Sequence, residues 1–217
     1  MTKKNTISSY LLNTQYSVKK LLELIIEADK NIQLLNDTKE SRELIELKYA
    51  ELAYEQYEGE FYERRDEAII ALLEFDELYS KQGITYSNII NIVKYSENVS
   101  EIKASAEVLS GSVLQIAKQG ISSIYGVSKY DCELVGKKHF GSATLLDVIW
   151  EGRNQSSHYE DRKFDEGVDQ CFNALIEYNN VFTDYKKGKN MAYEIIKLLN
   201  WLNYKEYQND MLTFEKL

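Results

Sequence analysis

Not one of the 217 residues is a proline. Proline is the commonest helix breaker, because it lacks an N–H and its ring clashes with the carbonyl four residues back. A chain of this length without it is free to run long helices, and the apolar residues are spaced accordingly. From about Ser8 to Asn36, Leu11, Val18, Leu21, Leu22, Ile25, Ile32 and Leu35 recur near a 3.6-residue period, the mark of an amphipathic helix. Asn36-Asp37-Thr38 predicts a break, with Asp37 and Glu40 as a capping box for a second helix. That helix is expected to reach about Ser80, where Lys81-Gln82-Gly83 ends it. Roughly 40 residues would span about 60 Å, more than a compact domain needs. Its ends are aliphatic (Leu44, Ile45, Leu47; Ile69, Leu72, Leu73), whereas Tyr49 to Glu67 is rich in Tyr and Glu. That middle is expected to project from the core or cross a partner surface, or else to be a solvated face with tyrosines over glutamate stems.

The remainder also reads as helix. A short one is expected over Tyr86 to Lys94, and another from near Asn98, with Ile102, Ala106, Leu109, Val113, Ile116 and Gly120 on one face. Ser110-Gly111-Ser112 interrupts its bulk, so a second backbone can approach there. Ile124 to Phe140 is the least periodic stretch and holds Gly126, Gly136 and the basic cluster Lys137-Lys138-His139. Ser142 is the expected N-cap of a short apolar helix carrying Leu145, Leu146, Val148, Ile149 and Trp150, and Gly152 allows a bend after it. Trp150 is expected in the core. Phe164, Val168, Cys171, Phe172, Leu175 and Ile176 trace another amphipathic helix. Lys186-Lys187-Gly188-Lys189 predicts a turn, and Met191 to Leu202 a terminal helix. No segment alternates convincingly as a strand. The expected fold is all-α: residues 1–81 form a long helical hairpin suited to dimerisation or partner binding, and residues 82–217 a helical bundle.

Charge narrows the function. The net charge is −9, which argues against a general nucleic-acid coat, since Lys and Arg contacts to phosphate dominate nonspecific affinity. Residues 1–81 carry 11 basic and 17 acidic side chains, and residues 82–217 carry 15 and 18. The second part is therefore nearer neutral and has room for a local basic site. Cys132 and Cys171 are too few and too far apart for a disulfide framework. Their spacings with the two histidines match no common zinc pattern. Gly136-Lys137 lacks the flanking residues of a phosphate-binding loop, and no serine sits in a strand–turn–helix elbow. No metal or cofactor is expected. With no signal-peptide pattern and no run apolar enough to span a bilayer, a cytoplasmic protein without a membrane partner is expected.

One segment concentrates chemistry: Arg153-Asn154-Gln155-Ser156-Ser157-His158. RNA carries its own nucleophile, the 2′-hydroxyl. Histidine as a residue type titrates near neutrality and can take that proton. Arginine presents a planar, permanently charged fork to phosphate and can stabilise charge growing on phosphoryl oxygens. Asn154 can orient phosphate or ribose. Positions five apart on one helix lie about 140° apart around its axis. Either the backbone turns within the motif, or a second chain completes the surface that each side chain serves. The bare spacing, taken alone, better fits Arg153 paired with a carboxylate and His158 capping a helix. Lys137 and Lys138 are candidate phosphate contacts, with His139 an ordinary loop histidine, and Tyr159 can stack a base or pack at a dimer seam.

Arg153, Asn154 and His158, with four residues between the arginine and the histidine, resemble the signature of the HEPN family. The flanks Leu114 to Ser122, Val148 to Gly152 and Tyr159-Glu160 are similar to those of bacterial HEPN-like proteins, and the resemblance covers about residues 97–185. It implies a helical bundle that dimerises, so that the motifs of two chains face each other in one composite cleft. It further implies a metal-independent endoribonuclease of toxin–antitoxin, stress or phage-defence type, with RNA as substrate and an antitoxin or regulatory protein as a possible partner. Other members have lost activity and serve as binding modules for RNA, nucleotide or protein. Some HEPN toxins carry a tyrosine two positions after the histidine that a partner enzyme adenylylates. Here that position is Glu160, and Tyr159 directly follows His158, so this regulation is not expected. Glu151, Glu160 and Asp161 crowd the motif and are expected either to hold its residues in place or to repel RNA.

Overall fold

In the computed structural model, backbone is described for residues 6–57 and 86–216, and side chains for 6–34, 36 and 99–216. The fold is all-α. Helix α1 spans Ile7–Tyr57 and α2 spans Tyr86–Tyr125. A 3-10 turn at Lys129–Asp131 and a two-residue hairpin, β1 His139–Phe140 and β2 Ala143–Thr144, lead into α3, Leu145–His158. Then come a 3-10 turn at Tyr159–Asp161, α4 Glu166–Tyr178, a 3-10 segment Asn180–Lys187, α5 Ala192–Leu198 and α6 Tyr204–Leu212. By contacts the chain forms two units, residues 1–29 with 103–217 and residues 30–102. The expected division at residues 81 and 82, and most of the tyrosine-rich stretch, lie outside the described residues.

Two helices run further than their sequences suggest. Asn36-Asp37-Thr38 does not interrupt α1, and the two helices expected over Tyr86–Lys94 and from Asn98 are one, α2. Asn, Asp and Thr cost only tenths of a kcal/mol each inside a helix, which neighbouring good formers offset. The expected absence of strands is also corrected. His139 pairs with Thr144 and Phe140 with Ala143, across Gly141-Ser142, where Gly141 has φ +62°. A two-residue hairpin loop needs a positive φ there, which glycine supplies at no steric cost. The cap of α3 is therefore Thr144, not Ser142. The Thr144 hydroxyl accepts from Asp147 N–H, and Asp147 reaches back to the Thr144 backbone, a complete capping box. The terminal helix stops earlier than expected: Asn200 takes a left-handed φ of +59°, and the chain restarts as α6.

The core of the first unit is built from one face of each helix. Ile7, Leu11, Val18, Leu22 and Ile25 of α1 are buried, as are Ala106, Val113, Leu114, Ala117 and Ile121 of α2. The two helices meet closely at Gly120, where a Cβ would stand 2.8 Å from the Tyr10 ring, and the Tyr10 hydroxyl donates to the Ile116 carbonyl at 3.0 Å. Gly111 gives α3 its approach: a Cβ there would lie 3.3 Å from Ser156 Oγ, the close approach expected at Ser110-Gly111-Ser112. Helix α4 buries Val168, Cys171, Phe172 and Leu175. Phe172 stacks on Tyr185 with centroids 4.8 Å apart, which ties α4 to the 3-10 segment. Cys132 and Cys171 are both free and buried. Among the described residues no helix is long and apolar enough to cross a membrane.

Candidate functional site

Helix α3 carries the whole motif without a bend. Its apolar half is sunk in the core: Leu145, Val148 and Ile149 are fully buried and Trp150 nearly so. Trp150 packs in the core, as expected, with the Lys118 ammonium 4.6 Å from its ring centroid. Gly152, expected to turn the chain, instead lies buried inside the helix. A Cβ there would stand 2.5 Å from Ile195 Cδ1. The glycine serves a close helix–helix approach to α5, not a turn.

Because the helix continues to His158, Arg153 and His158 point about 140° apart around its axis. Arg153 is half-buried, and its Nε donates to Gln115 Oε1 on α2. Its Nη1 lies 3.4 Å from Asn154 Oδ1. Asn154 Nδ2 donates in turn to Glu151 Oε2 at 3.0 Å. Glu151 is 4% exposed, and its other oxygen accepts from Lys129 Nζ at 2.6 Å. Lys129 also donates to Asp147 at 3.0 Å. A continuous polar chain therefore runs from Lys129 through Glu151 and Asn154 to Arg153 and Gln115. Burial alone would lower the Lys129 pKa, but its hydrogen bonds to Glu151 and Asp147 outweigh that and hold it well above the usual lysine range. Burial likewise opposes ionisation of Asp147, yet hydrogen bonds from Thr144 and the Lys129 ammonium hold it below the usual aspartate value. Gly167 at the start of α4 leaves room for this buried carboxylate, since a Cβ there would lie 2.9 Å from Glu151 Oε1.

A second cation stands near Arg153. Burial, and then the positive charge of Arg153, hold Lys118 below the usual lysine value. The negative charge of Glu151 opposes that shift.

His158, by contrast, is open. Its side chain is 62% exposed, with Nδ1 3.4 Å from Asp161 Oδ2. The Tyr159 hydroxyl donates to Glu160 at 3.1 Å. Gln155, on the buried side of the motif, has no exposure. Its amide donates to the Lys189 carbonyl at 2.7 Å and accepts from Met191 N–H at 3.0 Å.

The motif thus brings Arg153 and Asn154 together and leaves His158 on another face of the same protomer. Lys138 is engaged elsewhere: its ammonium donates to Asp210 at 2.8 Å and to the Leu199 carbonyl at 2.9 Å. Asp210 is also the acceptor for the Trp201 indole N–H. Lys138 is therefore anchored to the C-terminal segment, whereas Lys137 is exposed. Of the crowding acids, Glu151 orients Asn154, Asp161 faces His158 and Glu160 binds Tyr159. Gln115, Lys118 and Lys129 are site residues that sequence reasoning did not single out. They lie 38, 35 and 24 positions before Arg153, and no local pattern announces such pairings. A separate cavity of about 410 Å³ opens beside Lys129 and Asp147, lined also by Gln170, Asn173 and Glu177. Among the described residues no group of three His, Cys, Asp or Glu side chains is placed to hold a metal ion. Compared with protein-family models, curated proteins and solved structures, the chain matches none.

Proposed function

We propose that this chain is a HEPN-like endoribonuclease that works as a dimer and cleaves RNA without a metal. The observation that carries the reading is the contrast within one helix. Arg153 is held by Gln115 and Asn154 beside a second cation, which suits a phosphoryl group. His158 stands exposed on another face, with Asp161 beside its Nδ1 and no core role to account for it. A second copy facing the first would set the His158 of one chain against the Arg153 of the other. The imidazole then takes the 2′-hydroxyl proton, the 2′-oxygen attacks the adjacent phosphorus, and the P–O5′ bond breaks as the 5′-oxygen takes a proton from solvent. Arg153 stabilises the charge on the phosphoryl oxygens, and Asn154, oriented by Glu151, positions the group. The products are a 2′,3′-cyclic phosphate and a 5′-hydroxyl. Toxin–antitoxin, stress or phage defence is the setting such an activity suits, in the cytoplasm, with an antitoxin or regulatory protein as its controlling partner.

The second reading is a non-catalytic module that binds RNA, nucleotide or a partner protein. It is favoured by the engagement of Arg153 Nε with Gln115, which uses part of the guanidinium within the fold. The two readings separate in one assay. Purified protein incubated with single-stranded RNA in excess EDTA is expected to yield fragments ending in cyclic phosphate. Binding without fragments would favour the module, and EDTA-sensitive cleavage would reject the mechanism.

A further inference from the structure

The motif helix does more than carry Arg153 and His158. Through Gln155 it grips the backbone on both sides of Asn190, at the Lys189 carbonyl and the Met191 N–H. That grip docks the turn Lys186-Lys187-Gly188-Lys189 directly onto the motif. From the other side, the chain leaving His158 makes one 3-10 turn and then places Arg162 in a left-handed conformation, φ +54°. Its side chain lies across Gly188: a Cβ on that glycine would stand 2.9 Å from Arg162 Nε and 3.6 Å from Cζ. Gly188 itself has φ +76°.

The result is a ledge four residues on from His158, where Arg162 meets the segment that carries Lys186, Lys187 and Lys189, with Lys163 next to it in the chain. All five are exposed. Lys187 and Lys189 share one carboxylate, Asp184, and Lys186 reaches Asp169 only at 3.7 Å. Among the described residues neither Arg162 nor Lys163 has an ion-pair or hydrogen-bond partner. Their cationic heads are therefore available. A non-glycine residue in the left-handed region costs about 1 kcal/mol or more, so holding Arg162 there has no local benefit. In a chain of net charge −9, this arrangement has the character of a phosphate track.

Resting on the RNA reading above, we propose that the Arg162–Gly188 ledge, with Lys163, binds the backbone phosphates of single-stranded RNA flanking the bond presented to His158. It reads no sequence, because contacts to phosphate carry none.

The test uses the full-length protein and a fluorescent 2′-O-methyl oligonucleotide, which cannot be cleaved, in EDTA at several salt concentrations. Arg162→Gly is the informative variant, because it removes the guanidinium while suiting the left-handed backbone. Its melting temperature is expected to hold or rise, while affinity falls about 3- to 10-fold on every sequence tried. The slope of log affinity against log salt should shrink by about 0.7, the share of one phosphate contact on a single strand. Lys20→Glu on α1 should leave binding unchanged. If wild type binds but Arg162→Gly keeps its affinity and slope, the ledge is not the track and the RNA reading survives. If wild type does not bind at all, both fall together.

Discussion

His158→Ala is expected to lower metal-free RNA cleavage by about 10²- to 10⁴-fold, the usual contribution of a positioned general base. Arg153→Ala should cost about 10²- to 10³-fold, as loss of a charge-stabilising donor does. Stability distinguishes these losses from unfolding. The His158 side chain is 62% exposed, with Asp161 at 3.4 Å, so its removal should change stability by no more than about 0.5 kcal/mol. Arg153→Ala leaves Gln115 without its partner and should cost about 1 kcal/mol. Initial rates on a labelled single strand, read beside thermal melts of each variant, check both. A His158→Ala protein that keeps wild-type cleavage would remove the imidazole from the mechanism.

The second large effect is on folding. Among the described residues, Lys129 is the counter-charge for two acidic side chains, Glu151 at 5% and Asp147 at 29% side-chain exposure. Lys129→Ala leaves a buried carboxylate without its cation, which typically costs about 3–5 kcal/mol. That is a large part of the stability of an ordinary domain. The pH dependence has a definite sign. Asp147 is held below its usual value, so its stabilising effect is fully present above about pH 4 and is lost as pH falls through the lower, folded value. Lys129 is held above its usual value, so its effect is complete below about pH 10 and fades only in stronger alkali. Urea midpoints should therefore be flat for this cluster from pH 5 to 9 and fall in acid. In Lys129→Ala the acid fall should shrink, because protonating a buried carboxylate that has lost its cation relieves an uncompensated charge. The same variant should also lower cleavage beyond its folding defect, because Glu151 orients Asn154.

How far the sequence announced all this varies from residue to residue. The amphipathic faces of α1 and α2 are legible because 3.6-residue spacing survives in Leu11, Val18, Leu22 and Ile25, and in Ala106, Val113 and Gly120. Helix ends are less so. Asn36-Asp37-Thr38 has the chemistry of a break, but intrinsic propensity is weak against a long helical context. Gly152 is the instructive case. A glycine before a polar run has the pattern of a turn, yet here it accommodates Ile195 from a helix about 40 positions later. Arg153, Asn154 and His158 stand out by type and spacing alone. Their partners Gln115, Lys118 and Lys129 do not, since each belongs to another element and meets the motif only after packing. Lys138 shows the converse: a basic run suggests a phosphate contact, while its ammonium is occupied by Asp210.

In the proposed mechanism Arg153 and His158, about 140° apart on one helix, act together only across two copies. Mixing two inactive variants tests it. In a heterodimer of Arg153→Ala with His158→Ala, a site drawing its arginine from one chain and its histidine from the other leaves one of two sites whole. After equal amounts are mixed and allowed to exchange subunits, about a quarter of wild-type cleavage should return, since half of the dimers are mixed and each restores one site. If the mixture, shown by mass to contain heterodimers, stays as inactive as either variant alone, the shared site does not exist.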